Sequence, residues 1–293
     1  MPEKVSMIDH SKISGITLTS TKSVNTIEEI GSGIFCDFYV QGIEAQGVDI
    51  AGGYKYGDVV NIDHHAPTER MARVISSTPL ALEYLSHYKV ADGQRVVINH
   101  TDADSVLSSG IIAGVLAPEE RFATAAIAGD HTGEENKIAD LLQPLASFKD
   151  LVFSFRNLEL LLNGEALEPE AEKAFARRRD DRKTCEALAN DFTYWGRVCF
   201  LEGLQFSEVE LFLPFFPKAE ILLIHYPAKV AGNEIRVRLG PAAPRSLWLN
   251  KLNLPNFGGR WNAGSSRRME KTHLTARQYA DVINQKVDAF LEG

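Results

Sequence analysis

The sequence predicts an α/β fold: a parallel-sheet domain over residues 1–145, helices linking it over 146–205, and a smaller α/β domain over 206–293. Three observations predict it. Short β-branched runs alternate with helical segments in the first half. Apolar residues then recur at helical spacing from about Glu134 to Gln205. After that, strand-sized apolar runs return and end in a glycine-rich turn and a terminal helix.

Taken in order, residues 13–24 are Thr/Ser-rich and strand-like. Thr26-Ile27-Glu28-Glu29-Ile30 reads as a short helix capped by Ser23 or Asn25. Gly33-Ile34-Phe35-Cys36 is an apolar run closed by Asp37, and the glycines from Gly42 to Gly57 mark a loop or hairpin. Asp58 to Ile62 is the next strand. Ser76-Ser77-Thr78 caps a helix from Pro79 to His87, and Pro79 suits a first turn. Arg95 to Asn99 is another strand, Ser105 caps a helix through Leu116, and Glu120 to Ala126 forms one more. The run Ala125 to Ala128 resembles a third buried strand. Glu168 to Asn190 is a long charged helix. Val209–Leu213, Ala219–His225 and Glu234–Leu239 read as strands, and Thr275 to Leu291 as the closing helix.

Each of three apolar runs ends in an acid-and-histidine cluster. These are Asp63-His64-His65, then His100-Thr101-Asp102-Ala103-Asp104, then Gly129-Asp130-His131-Thr132-Gly133. A parallel sheet carries its ligand site at the carboxyl ends of its strands. Asp102 and Asp104 alternate, so both can reach one point, and carboxylates that close repel unless a cation lies between them. Imidazole and carboxylate without a nearby thiolate suit Mn²⁺, Mg²⁺ or Zn²⁺. Read singly, each cluster is also compatible with a polar loop or a helix cap. Asp37 has the same placement after a strand, and Asp49 rivals it. A second constellation joins Gly258, Gly259 and Arg260 with Arg267 and Arg268. Glycines let an anion approach backbone N–H groups and arginines bind phosphate in a fork, although a plain hairpin uses the same residues.

Composition sets bounds. The 293 residues are 44% apolar and carry a net charge of −8. Residues 1–133 hold −8, 134–200 hold −3 and 201–293 hold +3. The acidic first part suits cations and the basic last part an anion, while the acidic total speaks against coating long duplexes. No apolar run approaches the ~20 residues that span a bilayer. The polar stretch from Met1 to Lys12 shows no secretion signal, and the three scattered cysteines Cys36, Cys185 and Cys199 fit a reducing cytoplasm.

These motifs resemble the DHH family of phosphoesterases. Ile62-Asp63-His64-His65 is similar to the motif that names the family. His100 to Ser105 resembles its first motif in the short form of RecJ-like exonucleases, and Ala128 to Gly133 its fourth. Asp37 lies near the place of the second motif's acid. Gly258 to Gly264, preceded by Ile235-Arg236-Val237-Arg238, is similar to the glycine-rich motif of the DHH-associated domain.

The resemblance implies a catalytic lobe and a substrate lobe, with two divalent cations, Mn²⁺ foremost and Mg²⁺ or Co²⁺ as alternatives. His100 and Asp102 would hold one ion, and Asp104, His64 and Asp130 the other. Asp37 would bridge them, with His65, beside Asp63, at the scissile phosphate. Gly258, Gly259, Arg260 and Arg238 would bind substrate. The motif order here is two, three, one, four, whereas the family's first motif opens its chains. Arg260 also stands where the family carries histidine, and guanidinium does not exchange protons near pH 7. The expected activity is hydrolysis of a nucleotide phosphodiester, a dinucleotide or short oligonucleotide, by a cytoplasmic protein without membrane contact, compatible with a homodimer. The alternatives are a phosphomonoesterase or pyrophosphatase with the same ions, and a catalytically silent nucleotide-binding protein.

Overall fold

Each of the two β-sheets has its own hydrophobic core. The computed structural model describes residues 8–19, 26–203, 208–227, 232–269 and 271–292. It divides into two compact units, Met1–His131 with Glu135–Asp180, and Thr132–Glu134 with Asp181–Gly293. The expected cap residues Ser23 and Asn25 lie outside the described residues. No helix among the described residues is long and apolar enough to cross a membrane.

The first unit holds β1 (Ile16–Leu18), β2 (Gly33–Cys36), the single-turn α1 (Ile43–Gln46), β3 (Val48–Ile50), β4 (Gly53–Tyr56), β5 (Val59–Ile62), α2 (Ser77–His87), β6 (Val96–Ile98), α3 (Ala103–Ile112), α4 (Glu120–Ile127), α5 (Lys137–Leu145) and α6 (Leu151–Asn163). Its sheet order is β1-β6-β2-β5-β4-β3. β1, β6, β2 and β5 are mutually parallel, and β4 and β3 add an antiparallel edge. Every residue of β2, β5 and β6 is buried. That explains their near-continuous apolar runs, interrupted only by Asn61 in β5, since a parallel sheet covered on both faces leaves no position for alternating polar residues. Phe35, Ile62, Ile98, Leu80, Phe122 and Phe155 are among the core residues.

The strand that carries His100 follows β5 in sequence yet lies beside β2 in the sheet. The carboxyl ends of β6, β2 and β5 are therefore consecutive; β6 and β5 lead into the first two clusters and β2 into Asp37.

α7 (Pro169–Leu188) spans the boundary between the units, and buried Arg178 Nε, 3.5 Å from Asp140 Oδ1, ties its first half to α5. The second unit holds β7 (Thr193–Trp195), β8 (Val198–Glu202), β9 (Ile221–Tyr226), β10 (Glu234–Leu239), β11 (Gly258–Gly259), β12 (Ala263–Ser265) and α8 (Ala276–Glu292), with sheet order β11-β12-β10-β9-β8-β7. β7 and β8 fall within the range read as helical linker. α8 packs its Ala276, Tyr279, Ala280, Ile283 and Val287 on one face of this sheet. A reciprocal cap starts it: Gln278 N donates to Thr275 Oγ1 and Thr275 N to Gln278 Oε1.

Four expectations are corrected. Ala125–Ala128 is helical and not a strand, in keeping with the high helix propensity of alanine. Val209–Leu213 lies in a 3-10 helix, Val209–Phe215; its apolar residues do not alternate, and Pro214 has no N–H for a ladder. Thr26–Ile30 makes one turn, closed by Ile30 N donating to Thr26 O, without extending into a helix. Asp102, rather than Ser105, caps α3, accepting from Ser105 N at 3.0 Å.

Gly52 shows how closely the hairpin and α2 are packed. Its φ is +77°, and a Cβ there would lie 2.3 Å from Leu80 O and 2.7 Å from Tyr84 N. Gly52→Ala is expected to cost about 2–4 kcal/mol, combining left-handed strain with overpacking against a backbone that cannot retreat. Urea denaturation checks this value.

Candidate metal centre

Asp37 is the first residue after β2 and has φ +57°, a left-handed conformation that aspartate tolerates better than most side chains. Its N–H still donates to Ile62 O at 3.0 Å, continuing the β2–β5 ladder. Buried Asn61 holds the turn closed. Its Nδ2 donates to Phe35 O at 3.1 Å and Phe38 O at 3.0 Å, while Oδ1 accepts from Val40 N at 3.0 Å. The Asp37 carboxylate is thereby fixed in the interior, only 1% exposed.

Its two oxygens face different groups. Oδ1 accepts from Ser77 Oγ at 3.0 Å and lies 3.6 Å from His64 Nε2. Oδ2 accepts from Ser105 Oγ at 2.6 Å and lies 3.1 Å from His100 Nε2. His100 Nε2 is also 3.1 Å from Asp102 Oδ2, and His64 Nε2 is 2.9 Å from Asp130 Oδ2. Three sets of donors are therefore close enough to share an ion: Asp37 with His100 and Asp102, Asp37 with His64 and His65, and His64 with Asp130 and His131. Asp49 lies outside all three; its side chain is 72% exposed, 3.8 Å from Arg70 Nη1.

Electrostatics separates the acids. Burial pushes the Asp37 carboxyl well above the usual carboxylate range, and the Asp104 and Asp102 carboxylates push it further, against the opposing pull of His100. Burial also acts on Asp63 and Asp102, but imidazole partners outweigh it. His65, with His64 behind it, holds Asp63 below the usual range, and His100 does the same for Asp102. Burial presses the His100 ring toward neutrality, yet Asp102 and Asp37 overcome it and raise its pKa to about 12.

Asp63 orients its neighbour: Oδ1 lies 2.7 Å from His65 Nδ1, and Oδ2 accepts from His65 N at 2.9 Å. Asp104 has a different task. Oδ2 accepts from Ser77 N at 2.6 Å, and Oδ1 from Thr78 N at 2.7 Å and Thr78 Oγ1 at 2.6 Å. It caps α2 from another segment of chain, while the local N-cap Ser76 makes no side-chain cap bond. Asp104 Oδ2 remains 3.8 Å from His64 Nε2 but belongs to none of the three donor sets.

Asp130 and His131 lie in a π turn, Ala128–Thr132, appended to α4. Such turns are rare and concentrate at functional sites. His131, Asn61, Ser77 and Ser105 were not singled out from the sequence as site residues. His131 had a signal in its place beside Asp130, whereas the two serines read only as caps.

Of the residues expected to bind substrate, Arg238 lines a cavity of about 480 Å³ in the second unit, with Arg236, Arg267, Glu210, Glu234 and Ser265. Glu234 lies 2.7 Å from Arg236 Nε and Glu210 3.5 Å from Arg238 Nη1, so carboxylates offset part of the positive charge. Gly258, Gly259 and Arg260 are not among the lining residues. Gly258 and Gly259 pair with Ser265 and Gly264, and Arg260 N donates to Ala263 O at 2.8 Å. A Cβ on Gly259 would lie 2.4 Å from both Ala263 O and Gly264 Cα, so close strand approach accounts for that glycine.

No protein-family model matches the sequence, and no curated protein matches it. Among solved structures, the chain is similar to a pGpG-specific phosphodiesterase, PggH, from Vibrio cholerae, with a TM-score of 0.41, 10% identity and 81% of each chain covered. It is also similar to an exopolyphosphatase-related protein from Bacteroides fragilis, with a TM-score of 0.38, 13% identity, and 88% of this chain and 71% of that one covered. An uncharacterised protein from Helicobacter pylori G27 gives a TM-score of 0.24 at 13% identity, with 82% and 77% covered. These likenesses are too low to bear on function, which rests on the chain's own residues.

The division of labour among the acids can be tested without any ion. In chelator, Asp104→Ala is expected to lose about 2 kcal/mol of stability, because it strips the cap from α2 and leaves buried N–H groups unpaired. Asp130→Ala, whose side chain is 20% exposed, is expected to lose under about 1 kcal/mol. Urea melts of the two variants against wild type give the comparison.

Proposed function

We propose that this protein is a metal-dependent phosphoesterase that hydrolyses small nucleotide phosphodiesters. One observation carries the reading: the two oxygens of a single buried carboxylate, Asp37, face two different donor sets, His100 with Asp102 and His64 with Asp130. That is the arrangement a bridging ligand between two cations requires.

The residues suit divalent ions. All donors in the three sets are imidazole nitrogens or carboxylate oxygens, which fit Mn²⁺ and Mg²⁺ better than a thiophilic ion. Burial and neighbouring carboxylates hold Asp37 in a state that a cation would relieve. His100 and Asp102 would hold one ion and His64 and Asp130 the other, with Asp37 common to both. When bound, the ions supply Lewis acidity at the phosphoryl oxygens and make water acidic enough to act near neutral pH.

The protein's own groups do the rest. Asp63 fixes the His65 ring through Nδ1, so proton exchange with a substrate oxygen would run through Nε2. Asn61, Ser77 and Ser105 hold Asp37 in place. Asp104 anchors α2, and with it Ser77, against the site. The arginine-lined cavity of the second unit suits an anionic ligand, and the excess of acidic residues speaks against long duplexes.

The purified protein is expected to hydrolyse bis-nitrophenyl phosphate and a dinucleotide in Mn²⁺ faster than the nitrophenyl monoester, and to lose this activity in chelator. Metal content measured on the same preparation completes the test. Activity that survives exhaustive chelation rules the reading out, and a monoester preference would shift it to a phosphomonoesterase.

Proton release gives an independent check. The metal-free protein holds protons on His100 and has Asp37 raised, and both must be deprotonated to ligate. Mn²⁺ binding is therefore expected to release protons at pH 7 and to strengthen as pH rises. Calorimetry in buffers of different ionisation enthalpy measures the number released.

A further inference from the structure

His64 is fully buried between two unlike neighbourhoods. Its Nε2 faces carboxylates, Asp130 at 2.9 Å, Asp37 at 3.6 Å and Asp104 at 3.8 Å. Its Nδ1 faces the ring of His131, whose Nε2 is 3.3 Å away. His131 is itself only 7% exposed. Two ring nitrogens facing each other form a hydrogen bond only when one carries a proton and the other a lone pair. A cation among the carboxylates needs the His64 lone pair on Nε2, which requires the proton on Nδ1.

We infer that His131 is the positioning residue of His64: its Nε2 accepts the His64 Nδ1 proton and fixes the tautomer that turns Nε2 toward the carboxylates. This rests on the metal-site reading above. A ligating histidine ordinarily gives its second N–H to a carboxylate, a carbonyl or water. A neutral imidazole in that place orients the ring without adding negative charge to a site already crowded with acids. Asp130 does not compete for the same nitrogen, since its Oδ2 is 3.9 Å from His131 Nε2. Both partners of the His64 ring sit in the π turn. Consecutive residues of an α-helix point roughly 100° apart, whereas here Asp130 and His131 both reach His64, one at each ring nitrogen.

Nitrogen NMR of the histidine rings in the metal-free protein tests the assignment directly. The expected result is a bare Nε2 on His131 and a protonated Nδ1 on His64. A proton on His131 Nε2 overturns it. Mn²⁺ titration by calorimetry gives a second measurement. His131→Leu is expected to weaken binding by about 10–100-fold with the stoichiometry unchanged. His131→Gln, whose Oε1 can accept the same proton, is expected to recover most of that loss. Unchanged affinity in His131→Leu overturns the inference. So does the loss of a whole ion that His131→Gln fails to restore, because His131 would then be a ligand itself. If wild type takes up no divalent ion, the phosphoesterase reading fails, and the ring tautomers still decide the role of His131.

Discussion

The arrangement of the site depends on holding one carboxylate, Asp37, where a carboxylate is least at home. It lies in a left-handed turn at the end of a fully buried strand, with two other acids close enough to push its pKa up. A flexible side chain there would swing toward solvent or bind a stray cation at the surface. Three supports prevent this. The β2–β5 ladder extends one bond beyond the strand, Asn61 closes the turn from below, and two serine hydroxyls grip the oxygens. The ladder bond and Asn61 both belong to β5, and the hydroxyls come from the amino end of α2 and the first turn of α3. The centre is thus built from the fold as a whole, and a local motif alone would not reproduce it.

The remaining acids show why Asp37 is the place for added positive charge. Asp63 has His65 as its partner. Asp102 has His100 and the amino end of α3. Asp104 is engaged by two backbone N–H groups and a hydroxyl of α2, and Asp130 is partly in solvent. Asp37 accepts from two neutral hydroxyls and shares its nearest imidazoles with other acids, His100 with Asp102 and His64 with Asp130. A dense cluster of like charges is tolerable when each member has its own compensation. Here one member falls short, and its two oxygens face two donor sets close enough to share an ion.

The legible parts of the sequence were those where one residue type has one physical use. Short apolar runs marked β2, β5 and β6, because strands buried on both faces need them. The acids and histidines just after them marked the strand ends, so Asp37, His64, His100 and Asp102 could be singled out by placement, and the fold brings them together. Asp104 was harder. An acid two residues beyond another can face the same ligand or turn away to cap a distant helix, and spacing does not tell these apart. The glycine-rich turn was ambiguous for the same reason, since glycine admits a ligand and a neighbouring strand equally well. His131 stood beside Asp130 in the sequence, but a histidine next to an acid does not reveal which other ring its own will face, and here that is His64.

The place of β6 in the chain matters less to the centre than its place in the sheet. A parallel strand needs the correct neighbours and direction, and its position along the chain enters only through the connection that reaches it. β6 arrives after α2, runs parallel to β2, and leads to His100, whose Nε2 lies 3.1 Å from Asp37 Oδ2. The helix that follows is as important as the strand. α3 begins at Asp102, carries Asp104 to the cap of α2, and returns Ser105 to Asp37. Strand, acidic turn and helix thus form one unit whose contacts are all spatial. Such a unit can change its order in sequence while the centre keeps its geometry, provided that the loops on either side are long enough to reach.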